Sequence, residues 1–175
     1  MNILLEFNKF NILGPQMRPY FFIILFTFCI VDVFAQEIDA RSNALGGCGL
    51  TQNTIWSNFI NQAGLAEITE LTIGVGSTNS FGIKELSSHT AAFALPVSGG
   101  VFGLNVSYKG FELFNESKIG LAFGKKLSES FNLGVQVDYI SMYVDESTNN
   151  SNAFTFEIGA QKRLMRKLSL GAHLF

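Results

Sequence analysis

The chain has 175 residues, 47% of them hydrophobic and 15% charged, with a formal net charge of −2. That apolar content excludes an intrinsically disordered chain, and the absence of a basic field excludes a nucleic-acid partner. Two cysteines and two histidines exclude a disulfide-stapled miniprotein and a cysteine-only zinc site, so no metal or other cofactor is expected.

The first element is a targeting signal. Phe21 to Val31 is an uninterrupted apolar run of eleven residues, preceded by Arg18 and followed by Val33-Phe34-Ala35. A positive flank, a short apolar segment and a small-residue exit predict a cleaved secretory signal peptide over residues 1–35, with Met17 as an alternative start. The run is shorter than the ~20 residues that a membrane-spanning helix needs. Leu45-Gly46-Gly47-Cys48 has the look of a lipid-attachment site, but polar residues separate it from the apolar run. Once the signal is cleaved, Cys48 is a lone thiol in an exported chain, and it is expected to be buried and inert.

Residues 36–70 do not alternate. Gly46, Gly47 and Gly49 permit a tight backbone path, and Thr54 is placed to cap a short helix running through Phe59. The segment is expected to be a plug-like prelude to the strands. A phosphate-binding glycine loop is set aside, because the following Gly-Lys-Ser/Thr is missing and no strand precedes it.

From residue 71 to 175 the sequence has a period of two. Leu104, Val106 and Tyr108 interleave with Asn105 and Ser107, and Ile119, Leu121 and Phe123 with Gly120, Ala122 and Gly124. Val135, Val137 and Tyr139 interleave with Gln136 and Asp138. Such segments are strands with one apolar face and one small or polar face. Seven are predicted: Leu71–Asn79, His89–Leu95, Val101–Phe111, Ser117–Lys126, Leu133–Val144, Ala153–Lys162 and Leu168–Phe175. Several approach the ~9–11 residues of a tilted membrane strand. Compact turns (Val97 to Gly100, Leu127 to Asn132, Arg163 to Lys167) alternate with polar loops (Gly82 to Ser88, Glu112 to Glu116, Asp145 to Asn152).

This pattern predicts an all-β fold, an antiparallel up-and-down transmembrane barrel. In that reading the compact turns are periplasmic, and the basic residues flanking them (Lys125, Lys126, Lys162, Arg163, Arg166, Lys167) meet anionic lipid heads. Gln136, Asp138 and Glu157 are expected to be lumen groups pairing with Arg41 or with an amide of the plug. Tyr108, Phe111, Phe131, Tyr143 and Phe154 are candidates for interfacial aromatic girdles. Bacterial barrels close with an even strand number, so seven strands are expected to be the N-terminal part of a longer barrel. A soluble periplasmic β-domain that binds an apolar ligand is the alternative; there the polar face would be richer in charge. His89 and His173 give no spacing that implies a nucleophile and base, so no catalytic residue is expected.

The prelude also carries a resemblance. Arg41, Ser42, Gly46, Gly47 and Gly49, then Trp56, then Asn61, Ala63, Gly64 and Leu65 follow an A-R-S-x-A-L-G-G-A-G pattern, a tryptophan and an N-P-A-G-L-A element. This resembles the PorV/PorQ family of Bacteroidetes outer-membrane proteins, which is FadL-like in style. Cys48 stands where alanine is usual, and Gln62 replaces the proline. The resemblance covers Ala40 to about Ala66. It implies a barrel of about fourteen strands, in the outer membrane, acting as a non-enzymatic scaffold or conduit. Its implied partners are the lipid bilayer and secretion-system components, secreted cargo or hydrophobic small molecules.

Overall fold

A computed structural model describes residues 39–145 and 151–175. The expected signal peptide and the tip of the Asp145 to Asn152 loop lie outside the described residues. The rest is a single antiparallel sheet in which each strand pairs with its sequence neighbours, in the order β1 to β7. The strands are β1 (Thr72–Asn79), β2 (Ser87–Val97), β3 (Gly100–Phe111), β4 (Phe114–Ser128), β5 (Phe131–Val144), β6 (Ser151–Met165) and β7 (Leu168–Leu174). All seven predicted strands are present.

Several strands run past their predicted ends. The supposed polar loop Glu112 to Glu116 is a two-residue turn, because Phe111 pairs with Phe114 and Lys109 with Glu116. Lys109 and Glu116 are register partners in the sheet, so their polarity marks a strand end and not a loop. Gly110 makes the bend into the turn with φ +114°, a region that favours glycine. The β1–β2 connection, Ser80 to Leu86, forms two 3-10 turns, with Phe81 at φ 58°.

Before the sheet lies the prelude: α1 (Ala40–Ala44), α2 (Ser57–Ile60) and a 3-10 helix over Gln62–Glu67. Asp39 caps α1 by accepting from the Arg41 and Ser42 amides. α2 has no side-chain cap: Trp56 occupies that position, and the Thr54 hydroxyl finds no partner among the described residues. The expected Thr54 cap is therefore wrong. The local turn is held instead by Ser57, whose hydroxyl donates to the Gln52 carbonyl and accepts from the Thr54 amide. The Asn61 side chain starts the 3-10 helix by accepting from the Ala63 amide, so this turn forms with Gln62 at its first position.

The prelude dictates the shape of the sheet. Trp56 lies against Gly74 and Gly76 on β1, and the Asn61 amide donates to Ala160 O on β6 and Ala172 O on β7. One short segment reaches both edge strands only if the sheet curls around it, giving a half-barrel with the prelude in its concavity. The concave face is where the small residues fall. A Cβ on Gly124 would come within 2.7 Å of the Gln62 carbonyl oxygen, and one on Gly103 within 2.8 Å of Leu65 Cδ1. On Gly134 and Gly159 it would strike the Gln62–Ala63 backbone and Asn61.

The apolar set of each strand points the other way and stays uncovered: Ile73 is 69% exposed, Val75 79% and Phe156 72%. Among the described residues, thirteen buried side chains are polar or charged and seven are apolar. The interior is polar and the exterior oily.

Adding a β-branched side chain at an inner-face glycine forces two backbones apart. Gly134→Val is expected to lower the unfolding midpoint, at a cost of about 1–3 kcal/mol, the usual range for overpacking. Gly99→Ala, at a turn position with open space around it, leaves the midpoint unchanged in the same denaturant titration.

Candidate functional site

Strand register lays the inner face out in rows. Gly103, Ala122, Gln136 and Glu157 form one row, and Asn105, Gly120, Asp138 and Thr155 the next. Ser107, Lys118, Ile140 and Ala153 follow toward the end that carries the Ser80–Leu86 and Glu112–Leu113 connections. Two small residues, Gly120 and Ala122, separate the polar side chains and leave room for them to converge.

They converge on one network. Lys118 Nζ donates to Glu157 Oε1 at 2.7 Å and lies 3.3 Å from Asp138 Oδ2. Gln136 Nε2 donates to Asp138 Oδ1 at 2.7 Å, and its carbonyl accepts from Asn105 Nδ2 at 3.0 Å. The same Asn105 amide donates to the backbone carbonyl of Asn58 in the prelude, and Gln62 Nε2 donates to Glu157 Oε2 at 2.6 Å. His173 Nε2 lies 3.2 Å from that same oxygen. Asp138, Asn105 and Gln62 are fully buried, and Lys118 and Glu157 are each only 6% exposed. Charge-assisted bonds of this kind are the strong ones, and here they bind the wall to the prelude.

The predicted lumen residues Gln136, Asp138 and Glu157 are thus brought together, and Glu157 meets a prelude amide as expected. Arg41 is not their partner. It sits exposed on α1, and the cation is supplied by Lys118 on the neighbouring strand. The sequence reading missed Lys118, although a lysine on the glycine face of a strand was a visible signal. Of the prelude residues singled out, Ser42 hydrogen-bonds Asp39 and Gln52, Asn61 donates to carbonyls of β6 and β7, and Gly64 lies buried against Gln52 and Ser57 within the prelude. Trp56 stacks on Phe59. Gly46 and Gly47 take left-handed φ values of 68° and 82°, and Gly49 lies against Ile60. Cys48 is exposed, contrary to the expected burial: it ends an exposed stretch that begins at Asn43 and includes the two left-handed glycines.

His89 and His173 are far apart in the sheet, on β2 and β7. His89 is exposed and pairs with Ser77 Oγ at 3.0 Å. The described residues hold no group of three or more His, Cys, Asp or Glu that could hold a metal ion. At the opposite end, Glu67 closes the prelude by accepting from Asn132 Nδ2 and lies near Lys126 and Arg163. Those two cations are partly exposed, where such pairs contribute little.

The buried network is built of carboxylates, amides, one lysine and the edge of His173, and the Ser77–His89 hydrogen bond lies apart from it at an exposed strand end. What the network does is fix the prelude against the concave face of the sheet. The chain matches no protein-family model, no curated protein and no solved structure.

Lys118→Met leaves two buried carboxylates without their cation. Such a change is expected to cost about 3–5 kcal/mol, read as a fall in unfolding midpoint in detergent. Combining it with Asp138→Asn and Glu157→Gln recovers most of the loss, since no uncompensated charge then remains.

Proposed function

We propose that this chain forms wall and plug of an outer-membrane β-barrel, acting as a non-enzymatic scaffold or conduit. The observation that carries the reading is the inverted distribution of the side chains. Ile, Val, Leu and Phe on alternate positions of the strands look outward and are exposed, while the buried face is glycine, amide and charge. In water, exposing that much contiguous apolar surface is unfavourable, at about 25 cal/mol per Å². In hydrocarbon the same surface costs nothing, and a polar interior filled by a plug is the normal pattern of such barrels. The soluble alternative, a periplasmic domain that binds an apolar ligand, requires the apolar set to line the interior. Its reversed orientation favours the membrane.

The role is either support of type IX protein secretion or passage of hydrophobic molecules, as the PorV/PorQ-like prelude motif suggests. Export through a cleaved signal peptide is part of the same proposal. The wall-to-plug network gives such a protein a fixed interior geometry.

Envelope fractionation tests the reading. The protein is expected in the outer-membrane band of a sucrose gradient, resistant to alkaline carbonate extraction. Release into the periplasmic extract, or removal by carbonate, contradicts it.

A further inference from the structure

Strand register rules the convex face into bands. Three successive rows of outward residues, which on β4 are Ile119, Leu121 and Phe123, hold only Ala, Val, Leu, Ile, Phe and Tyr across the sheet. At the end carrying the Ser80–Leu86 connection the band stops at Ser77, His89, Tyr108, Ser117, Ser141 and Asn152. That row has hydroxyls, an imidazole and an amide, but no lysine, arginine or carboxylate. At the compact-turn end the band stops at lysines. Lys125 lies opposite Leu133, in a row with Ala160 and Ala172, and Lys162 lies opposite Phe131, in a row with Ser128 and Leu170. From Ser117 to Lys125 the strand rises about 27 Å, or about 20 Å of height at the usual tilt of a barrel strand.

Six basic residues stand at the compact-turn end, and strand parity divides them. Gly124 and Gln161 face the prelude. Lys126 and Arg163, two positions on, face the same way and lie 3.7 and 4.0 Å from Glu67. Lys125 and Lys162 take the alternate positions and are exposed on the oily face. Among the described residues neither of them forms an ion pair with a carboxylate. Arg166 and Lys167 lie beyond the strands, in the β6–β7 turn.

The two outward lysines are two strands apart and two residues out of step, roughly 12 Å between Cα atoms. Phe131 and Leu133 of β5 lie between them. Both ammonium groups can therefore reach one headgroup, and the rows below, through Phe123, Val135 and Ile158, run on as an apolar track for its chains. A cation without a carboxylate at the rim of an oily band is matched by an anion that sits at that depth, as a lipid phosphate does.

We infer that Lys125 and Lys162 form a site for one anionic glycerophospholipid, its phosphate between the two ammonium groups and its acyl chains on the apolar rows. The inference rests on the barrel reading and deepens it, naming the lipid class at the compact-turn boundary. A zwitterionic lipid with the same chains brings its own ammonium to the site and is held less well. Each lysine near an anionic lipid surface favours binding about fivefold.

The test takes the full chain in dodecyl maltoside with equimolar phosphatidylglycerol and phosphatidylethanolamine, and counts retained lipid by native mass spectrometry. Phosphatidylglycerol is expected to be retained at least about fivefold over phosphatidylethanolamine. Lys125→Gln with Lys162→Gln brings the two lipids to near parity, and Lys125→Arg with Lys162→Arg keeps the preference. Lys126→Gln with Arg163→Gln removes the same charge from the other face and also keeps it. Retention of neither lipid, or of both equally, by the unaltered chain overturns the site. An equal loss of preference in the Lys126/Arg163 variant overturns it too, because a general positive field then suffices. All these outcomes leave the barrel reading standing, whereas a chain absent from the outer-membrane band fails that reading first, in the fractionation.

Discussion

Two stretches of backbone can lie in direct contact only where side chains are missing from one of them. That constraint organises this molecule. The inner face of the sheet is glycine and alanine at the places where the prelude crosses it, and the crossing runs from β1 to β7. Because the prelude touches both edge strands, the sheet must curl. Because the curl turns the small face inward, the alternating apolar face is left outside. Orientation, curvature and plug are therefore one feature described three ways.

Filling an interior with backbone and small residues carries a consequence for its chemistry. A backbone plug brings carbonyls and amides with it, and buried polar groups need partners. The wall answers with Asn105, Gln136, Asp138, Glu157 and Lys118, and the prelude with Asn58 and Gln62. A buried ion pair of this sort is weak evidence for net stability, since desolvation offsets much of the attraction. Its value lies in position: breaking any member strands a charge or an amide, so the prelude has one seat. The apolar cluster beside it, Leu65 with Ala94, Val101 and Ala122, is small and supplies packing without fixing a register.

Much of this was legible in the sequence. Period-two alternation gave all seven strands, and glycine on the second face showed that something lay close against it. Gln136, Asp138 and Glu157 stood out as isolated polar groups on that face. The partner was harder to see. Lys118 follows the same parity as Gly120 and Ala122, yet only the register that sets Gly120 beside Asp138 and Gln136 beside Glu157 brings the three charges together. Polarity at Asn115 and Glu116 suggests a loop, yet both are paired in the sheet, with Tyr143 and Met142, because a polar residue near a strand end looks the same in sequence as a loop residue. A lone thiol suggests burial, yet Cys48 lies in an exposed stretch running from Asn43, which nothing in its local sequence announces.

The proposed membrane placement is one of direction: if it holds, odd-numbered positions from 133 to 139 on β5 face hydrocarbon, while the even-numbered ones face the prelude. Single nitroxide spin labels at each of these positions, in the protein reconstituted in bilayers, measure this directly through relaxation by oxygen and by a water-soluble nickel chelate. The account predicts high oxygen and low nickel accessibility at 133, 135, 137 and 139, alternating with low accessibility to both at 134, 136 and 138. High nickel accessibility at the odd positions would put those side chains in water and contradict it.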